Sequence, residues 1–331
     1  MRVPRAERKN KAMKKDLMFG FYIYLSTHMW DDENTPARGW YIPPRYKETN
    51  DTNVETWDVT MKFLAERKFN MLLVDVGDGI KYESHPEISA PDAWDKEFLK
   101  KKLDEIRALG ITPLPKLNFS CCHHTWLKQY RRMVSTPEYY KVCSDLIKEV
   151  CEVFGNPEYF HLGLDEENAA NQKYREFVHI RNNTLWWHDV YFYFNEVEKN
   201  GARPWIWSDR CWNEPDDFVK NMPKSVLQSN WFYGLFADYP ADHPDAKAIA
   251  TYELLDKHGF EQIPTCSCWD HWGKYNTFQT LAHGKAKLDP ELVKGYLTAP
   301  WFNTEPDFAY RLKHDAHMLY AARRDIYPET L

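Results

Sequence analysis

The sequence predicts an α/β chain that closes as a single-domain (β/α)8 TIM barrel, and three observations predict it. From residue 17 onward, short apolar runs alternate with segments of helical periodicity, the pattern of parallel strands joined by helices. Eight such units follow one another without a linker, a low-complexity block or a fixed short repeat. The 331 residues suit one large barrel better than a small module. The expected division is a basic, disordered segment over residues 1–16 and one barrel domain over 17–331.

The first expected strand is Met18 to Ser26, and a long polar loop rich in Pro and Trp follows it. Val54, Trp57, Met61 and Leu64 recur at helical spacing and predict the first helix. The run from Met71 to Val76 opens into Gly77-Asp78-Gly79 and predicts the second strand. The second helix spans about Ala93 to Leu109 and stops at Gly110. Ile111 to Leu117 predicts the third strand, ending in Asn118. The third helix has a legible start, with Thr136 as N-cap, Pro137 in the first turn and Glu138 beside it. Its apolar stripe is Tyr139, Cys143, Leu146, Val150 and Val153. The fourth strand begins at Tyr159, and the helix after it ends near Lys199, before Gly201. Pro204 to Trp207, Val226 to Trp231, Gln262 to Cys268 and Gly295 to Trp301 predict strands five to eight. A helix precedes Gly259, and a last one covers Phe308 to Ala322. The fifth and seventh helices are the weakest, because Pro and Gly interrupt their patterns.

Composition narrows the function. A net charge of −6 argues against nucleic-acid binding, which needs a basic surface to neutralise phosphates. No apolar run is long enough to span a membrane. Leu17 to Leu25 contains two Tyr and no small-residue cleavage site follows, so it reads as a strand rather than a signal-peptide core. The chain as given therefore reads as cytoplasmic, and as exported if a signal peptide has been removed. Seven Cys at irregular spacing show no disulfide framework and are expected to be free thiols. No cofactor and no metal are expected, and the sequence leaves the oligomeric state open. Aromatic residues make up 16% of the chain, with 14 Trp and 20 Tyr. Near strand ends such rings suit the flat faces of sugars.

The stretch His161-Leu162-Gly163-Leu164-Asp165-Glu166-Glu167-Asn168 is an apolar run that ends in three carboxylates. A barrel builds its active site at the carboxyl ends of its strands. Neighbouring strand residues point to opposite faces, so Asp165 and Glu166 share a site only where the pleat breaks; Gly163 and Asn168 permit that break. The other strand ends supply Asp78, Asn118, His123, Trp207, Asp209, Trp231, Trp269, Asp270, Trp301 and Glu305 as expected substrate contacts. His161 reads as an inner-barrel support for the acids. Acids, amides and indoles together suit a carbohydrate: polar groups for hydroxyls, rings for sugar faces, carboxylic acids for glycosidic cleavage. Phosphate chemistry would call for a Gly-rich loop with Lys or Arg, and none is present.

His161 to Glu166 resembles the His-x-Gly-Gly-Asp-Glu motif of the family-20 glycoside hydrolases, the β-N-acetylhexosaminidases. Lys68-Phe69-Asn70-Met71-Leu72 is similar to that family's second-strand entry. Gly110 to Pro115, with Asn118 and His123 beyond, is similar to its third strand. Trp205 to Asp209 and Pro300 to Glu305 are similar to its fifth and eighth strand ends. The resemblance implies an exo-acting hydrolase that removes a terminal β-linked N-acetylhexosamine or related sugar. It implies Glu166 as the general acid/base and Asp165 as the group that orients the 2-acetamido substituent, whose oxygen attacks the anomeric carbon. Carboxylates on either side, Asp165 and Glu167, are expected to help Glu166 keep its proton through like-charge repulsion.

The chain departs from the motif in three places. Leu164 stands at the second Gly, the first strand lacks the family's Arg, and Cys268-Trp269-Asp270 stands where the family has a Tyr followed by Leu-Asp. A hydroxyl for the acetamido oxygen would then come from another rim Tyr, such as Tyr233 or Tyr275. Three other readings stay open: a glycosidase for a non-acetylated sugar with a separate carboxylate nucleophile (Asp75, Asp209, Asp270 or Glu305), a non-catalytic sugar-binding barrel, and a metal-assisted hydrolase using His123, His124, Asp165 and Glu167.

Overall fold

The computed structural model describes residues 17–29, 32, 47–173, 175–269 and 273–331. The basic segment 1–16, much of the loop after the first strand and Asp270 lie outside the described residues. Eight strands form one parallel sheet: β1 (Met18–Tyr24), β2 (Met71–Asp75), β3 (Thr112–Lys116), β4 (Tyr159–His161), β5 (Arg203–Trp207), β6 (Leu227–Ser229), β7 (Thr265–Cys266) and β8 (Gly295–Thr298). They are ordered β6-β5-β4-β3-β2-β1-β8-β7. Parallel bridges Gln228–Gln262 and Trp231–Thr265 join the two ends, so the sheet closes on itself as the (β/α)8 barrel that the strand–helix alternation predicts. Helices α1 (Val54–Glu66), α2 (Lys96–Ala108), α3 (Pro137–Val153), α4 (Ala169–Gln172), α5 (Asn183–Lys199), α6 (Arg210–Asn213), α7 (Pro215–Asn221), α8 (Pro244–Lys257), α9 (Gly273–Lys287) and α10 (Ala309–Ile326) lie between and after the strands.

Local chemistry explains several boundaries. Asn53 caps α1 by accepting the Thr56 N–H at 2.8 Å, and Thr136 caps α3 by accepting that of Tyr139 at 3.3 Å, as the sequence predicts for Thr136. The weak fifth unit is two short helices, α6 and α7. The seventh helix differs from expectation: α9 is a continuous 15-residue helix. A Cβ at its Gly284 would stand 2.1 Å from the Tyr296 hydroxyl, so this Gly lets the helix approach β8 rather than ending it.

In β3, Pro113 and Pro115 have no N–H to donate. The Thr112 N–H points to β2 and the Leu117 N–H to β4, so alternation places both prolines' missing donors on the β4 side. Regular pairing there shrinks to Lys116 with His161. The missing donors lie opposite the start of β4, while its acid end stays on the β3 side through Leu117 N–H to His161 O (3.0 Å) and Phe119 N–H to Leu162 O (3.0 Å). Inside the barrel the rings of Tyr22, Trp205 and Trp207 pack around polar groups: Lys116 is ion-paired with Asp75, and Tyr22 donates to Asp75 Oδ2 at 2.5 Å.

Candidate active site

Past His161 the chain keeps its sheet contacts only as far as Gly163, through Leu162 N–H to Trp205 O (2.8 Å) and Trp207 N–H to Gly163 O (3.0 Å). Gly163, Leu164 and Glu166 are then left-handed, with φ of 71°, 73° and 57°. This is the break in the pleat that two adjacent acids need to reach one site. A left-handed non-glycine residue costs about 1–2 kcal/mol, so the bend needs outside support. Side chains of the loop after β3 supply much of it. Asn118 Oδ1 accepts the Leu164 N–H (3.2 Å), Ser120 Oγ donates to Asp165 O (2.5 Å), and Cys122 Sγ donates to Glu166 O (2.6 Å). From the end of β5, Asp209 Oδ2 accepts the Glu166 N–H at 2.8 Å.

The two acids differ in setting. Asp165 is buried, with Oδ1 accepting from Asn118 Nδ2 (2.9 Å) and Oδ2 3.3 Å from His123 Nε2; Glu166 is more exposed, its Oε2 also 3.3 Å from His123 Nε2. Burial alone would push the Asp165 carboxyl up, but His123, the Lys116 charge and the Asn118 hydrogen bond outweigh it and hold it well below the usual range. Burial alone would push His123 down, yet the Asp165 and Glu166 carboxylates hold it up at about 9, so it is an imidazolium at neutral pH. Burial, then the Asp165 charge, push Asp209 up to about 7. One ionised acid, one partly open acid and a cation between them suit acid/base work.

Aromatic rings stand beside these acids. Trp301, left-handed at φ 58°, has ring centroids 5.0 Å from Tyr22, 6.1 Å from Trp207 and 6.3 Å from both Tyr24 and Tyr233. Tyr233 stacks on Trp231 at 5.1 Å, and Trp231 Nε1 donates to Asp209 Oδ1 at 3.3 Å. The Tyr233 hydroxyl is buried facing Trp301, and burial above all, with the charges of Asp165 and Glu166, keeps it protonated. His161 is buried between Trp205 and Trp207, its Nδ1 accepting the Gly163 N–H at 2.9 Å; burial and the Lys116 charge keep it neutral.

Other residues singled out in the sequence stand elsewhere or are already engaged. Asp78 is buried and accepts from His28 (2.6 Å), Ser26 (2.7 Å) and Asn50 (3.2 Å), bordering a groove of about 630 Å³ lined by His28, Thr125, Lys128 and Arg131. Both Glu305 oxygens lie 2.9 Å from Lys47 Nζ, and Oε1 also accepts from Asn303 at 2.7 Å. Trp269 is half-buried past β7, its N–H on Ser267 Oγ at 3.0 Å, while Tyr275 is exposed on α9.

Glu167 corrects an expectation: it turns away from Glu166 and pairs with buried Arg181, so its charge is neutralised there. His124 packs near His179 rather than with the acids, so the set His123, His124, Asp165 and Glu167 is not assembled. Donor atoms of His123, Asp165 and Glu166 do lie within 4.8 Å of one another, as do those of Cys268, His314 and Asp315. In the first group His123 Nε2 lies 3.3 Å from both Asp165 Oδ2 and Glu166 Oε2. In the second, Asp315 already accepts the Cys268 N–H at 3.0 Å. All seven Cys are buried free thiols.

No protein-family model matches the chain, and no curated protein sequence matches it. Solved structures do. A GH20 exo-β-N-acetylglucosaminidase from Vibrio harveyi, in complex with N-acetylglucosamine, is 12% identical with a TM-score of 0.62; the match covers 96% of this chain and 58% of that one. Dispersin B is 12% identical with a TM-score of 0.59, over 94% of this chain and 99% of its own. Chitobiase from Flavobacterium johnsoniae is 15% identical with a TM-score of 0.61, over 94% of this chain and 53% of its own. The chain thus spans little more than half the Vibrio and Flavobacterium chains and nearly all of Dispersin B. At this distance in sequence, what this chain shares with these glycoside hydrolases is the fold: the (β/α)8 barrel of the GH20 β-N-acetylhexosaminidases.

Proposed function

We propose that the chain is an exo-acting glycoside hydrolase that removes a terminal β-linked N-acetylhexosamine or a close relative. The observation that carries this reading is the bent Asp165-Glu166 pair beside the ring wall of Trp207, Trp231, Tyr233 and Trp301, on the barrel of the β-N-acetylhexosaminidases. Glu166, the more open acid, gives its proton to the leaving oxygen and then activates water. Asp165, ionised, accepts from the acetamido N–H and turns the acetamido oxygen toward the anomeric carbon. Tyr233 donates its hydroxyl to that oxygen in place of the family's Tyr.

The alternative with a separate nucleophile is disfavoured by how its candidates are engaged. Asp75 is held by Lys116 and Tyr22, Asp209 by two N–H donors, and Glu305 by Lys47 and Asn303. Asp270 lies outside the described residues. The test is a panel of nitrophenyl glycosides followed by a thiazoline mimic of the cyclised intermediate. Turnover of an N-acetyl-β-hexosaminide with tight competitive thiazoline inhibition is expected. Activity only on a sugar with a free 2-hydroxyl, without thiazoline inhibition, would overturn the acetamido route. No turnover with retained sugar binding would make the chain a binding barrel.

A further inference from the structure

The geometry points to Asp209 as a positioning residue that sets Glu166 through its backbone and couples it to the aromatic wall. This rests on the reading of Glu166 as the catalytic acid. Glu166 is left-handed, a conformation a β-strand does not impose and the residue does not favour. Its carbonyl is held from two sides, by Cys122 Sγ at 2.6 Å and Asn168 Nδ2 at 2.9 Å. Its N–H goes to Asp209 Oδ2, at 2.8 Å, from a different strand end. Without that acceptor the Glu166 N–H has no fixed partner, and the peptide unit it belongs to keeps only the bond from Ser120 Oγ to the Asp165 carbonyl.

The second oxygen extends the argument. Asp209 Oδ1 accepts from Trp231 Nε1 at 3.3 Å, and Trp231 stacks on Tyr233 at 5.1 Å. One buried carboxyl thus links the ends of β4, β5 and β6, joining the acid to the rings that hold the sugar. Both oxygens face N–H donors, so Asp209 acts as an acceptor within the protein and gives no proton to substrate. Because a general acid works only within hydrogen-bond reach of the leaving oxygen, small shifts of the Glu166 backbone are costly to catalysis.

A misplaced acid leaves a signature that a general loss of structure does not. A leaving group that departs as a stable anion needs no proton, whereas an alkoxide does. The experiment compares a dinitrophenyl and an alkyl glycoside of the same sugar in the wild type, Asp209→Ala, Asp209→Asn and Glu166→Gln, with circular dichroism as a check on folding. Asp209→Ala is expected to lower kcat/KM on the alkyl glycoside about tenfold or more, from loss of acid alignment, and to leave kcat/KM on the dinitrophenyl glycoside, which reports the leaving-group step before water is activated, nearly unchanged. Asp209→Asn keeps an acceptor for the Glu166 N–H and should recover most of the loss. Asp209→Ser, too short to span the gap, replaces Asp209→Ala if the latter does not fold.

Equal losses on both glycosides, or none, overturn the proposal. Glu166→Gln separates the two layers of the argument. If it shows the leaving-group dependence and Asp209→Ala does not, only the role of Asp209 falls. If neither shows it, or if the wild type is inactive on every glycoside, the assignment of Glu166 falls and that of Asp209 with it.

Discussion

Replacing Glu166 by Gln keeps the side chain's shape and one acceptor oxygen but removes the proton meant for the leaving group. Turnover of an unactivated glycoside should fall about a hundredfold or more, while affinity for the sugar product, measured by calorimetry, stays close to wild type. Retained turnover would show that the acid is another residue. At Tyr233 the hydroxyl is the only atom in question, because the ring still packs on Trp231. Tyr233→Phe should weaken thiazoline inhibition by roughly five- to tenfold, the worth of one neutral hydrogen bond, with thermal stability little changed. Undiminished inhibition would place the acetamido donor elsewhere. The sequence offered Tyr233 and Tyr275 equally; only the fold separates them, burying the first hydroxyl beside Trp301 and exposing the second ring on α9.

The end of β4 shows how an element carries a site by being interrupted. Gly163 is left-handed, and a Cβ there would lie 1.9 Å from Asn118 Oδ1. Gly163→Ala therefore combines backbone strain with the displacement of the side chain that holds both Leu164 and Asp165. A loss of about 1–3 kcal/mol from the strained backbone is expected, read by denaturant unfolding, together with a drop in kcat. An unchanged kcat would mean that Asn118 can move without disturbing the acids. Thr136, on the same rim of the barrel at the start of α3, should behave as a simple cap. Thr136→Ala should cost about 1 kcal/mol without touching activity, and an activity change would show that α3 does more than support the sheet. The break at Gly163 was legible because Gly before two acids is a local signal. The left-handed Leu164 was not, since a β- or γ-branched apolar side chain gives no such signal and only contacts from β3 and β5 make the conformation tolerable.

Over the whole molecule, pH should act through buried groups shifted in opposite directions, Asp209, Asp315 and His123 upward and His124 and His161 downward. Asp209 is held at about 7, above its ordinary 3.8, so the folded chain binds that proton more tightly than the unfolded one. Its contribution is complete at low pH and is lost as pH rises from about 4 through 7. His123 is raised from 6.5 to about 9, so its contribution is complete below 6.5 and is lost as pH rises toward 9. Asp165 is shifted the other way and its contribution is lost only in acid, as pH falls below its ordinary 3.8. Thermal unfolding midpoints should therefore decline from pH 7 to pH 9, above the range in which the buried neutral His124 and His161 gain stability with pH. Asp209→Asn should remove a loss of stability between pH 5 and 7, and His123→Gln should flatten the decline between 7 and 9. Slopes identical to wild type in both variants would show that other groups set the decline.

The sequence by itself determined the strand–helix alternation, the number of strand–helix units, the caps and the acids at the end of β4. Each of these depends on residues within a few positions of one another, where spacing along the chain is spacing in space. The tertiary structure decided which charges meet. It turned Glu167 to Arg181, gave Asp78 to His28 and Glu305 to Lys47, and brought Asp209 to the Glu166 N–H across 43 residues. Sequence periodicity carries no information about such pairs, because the closing of the barrel, rather than any local pattern, sets which strand ends become neighbours.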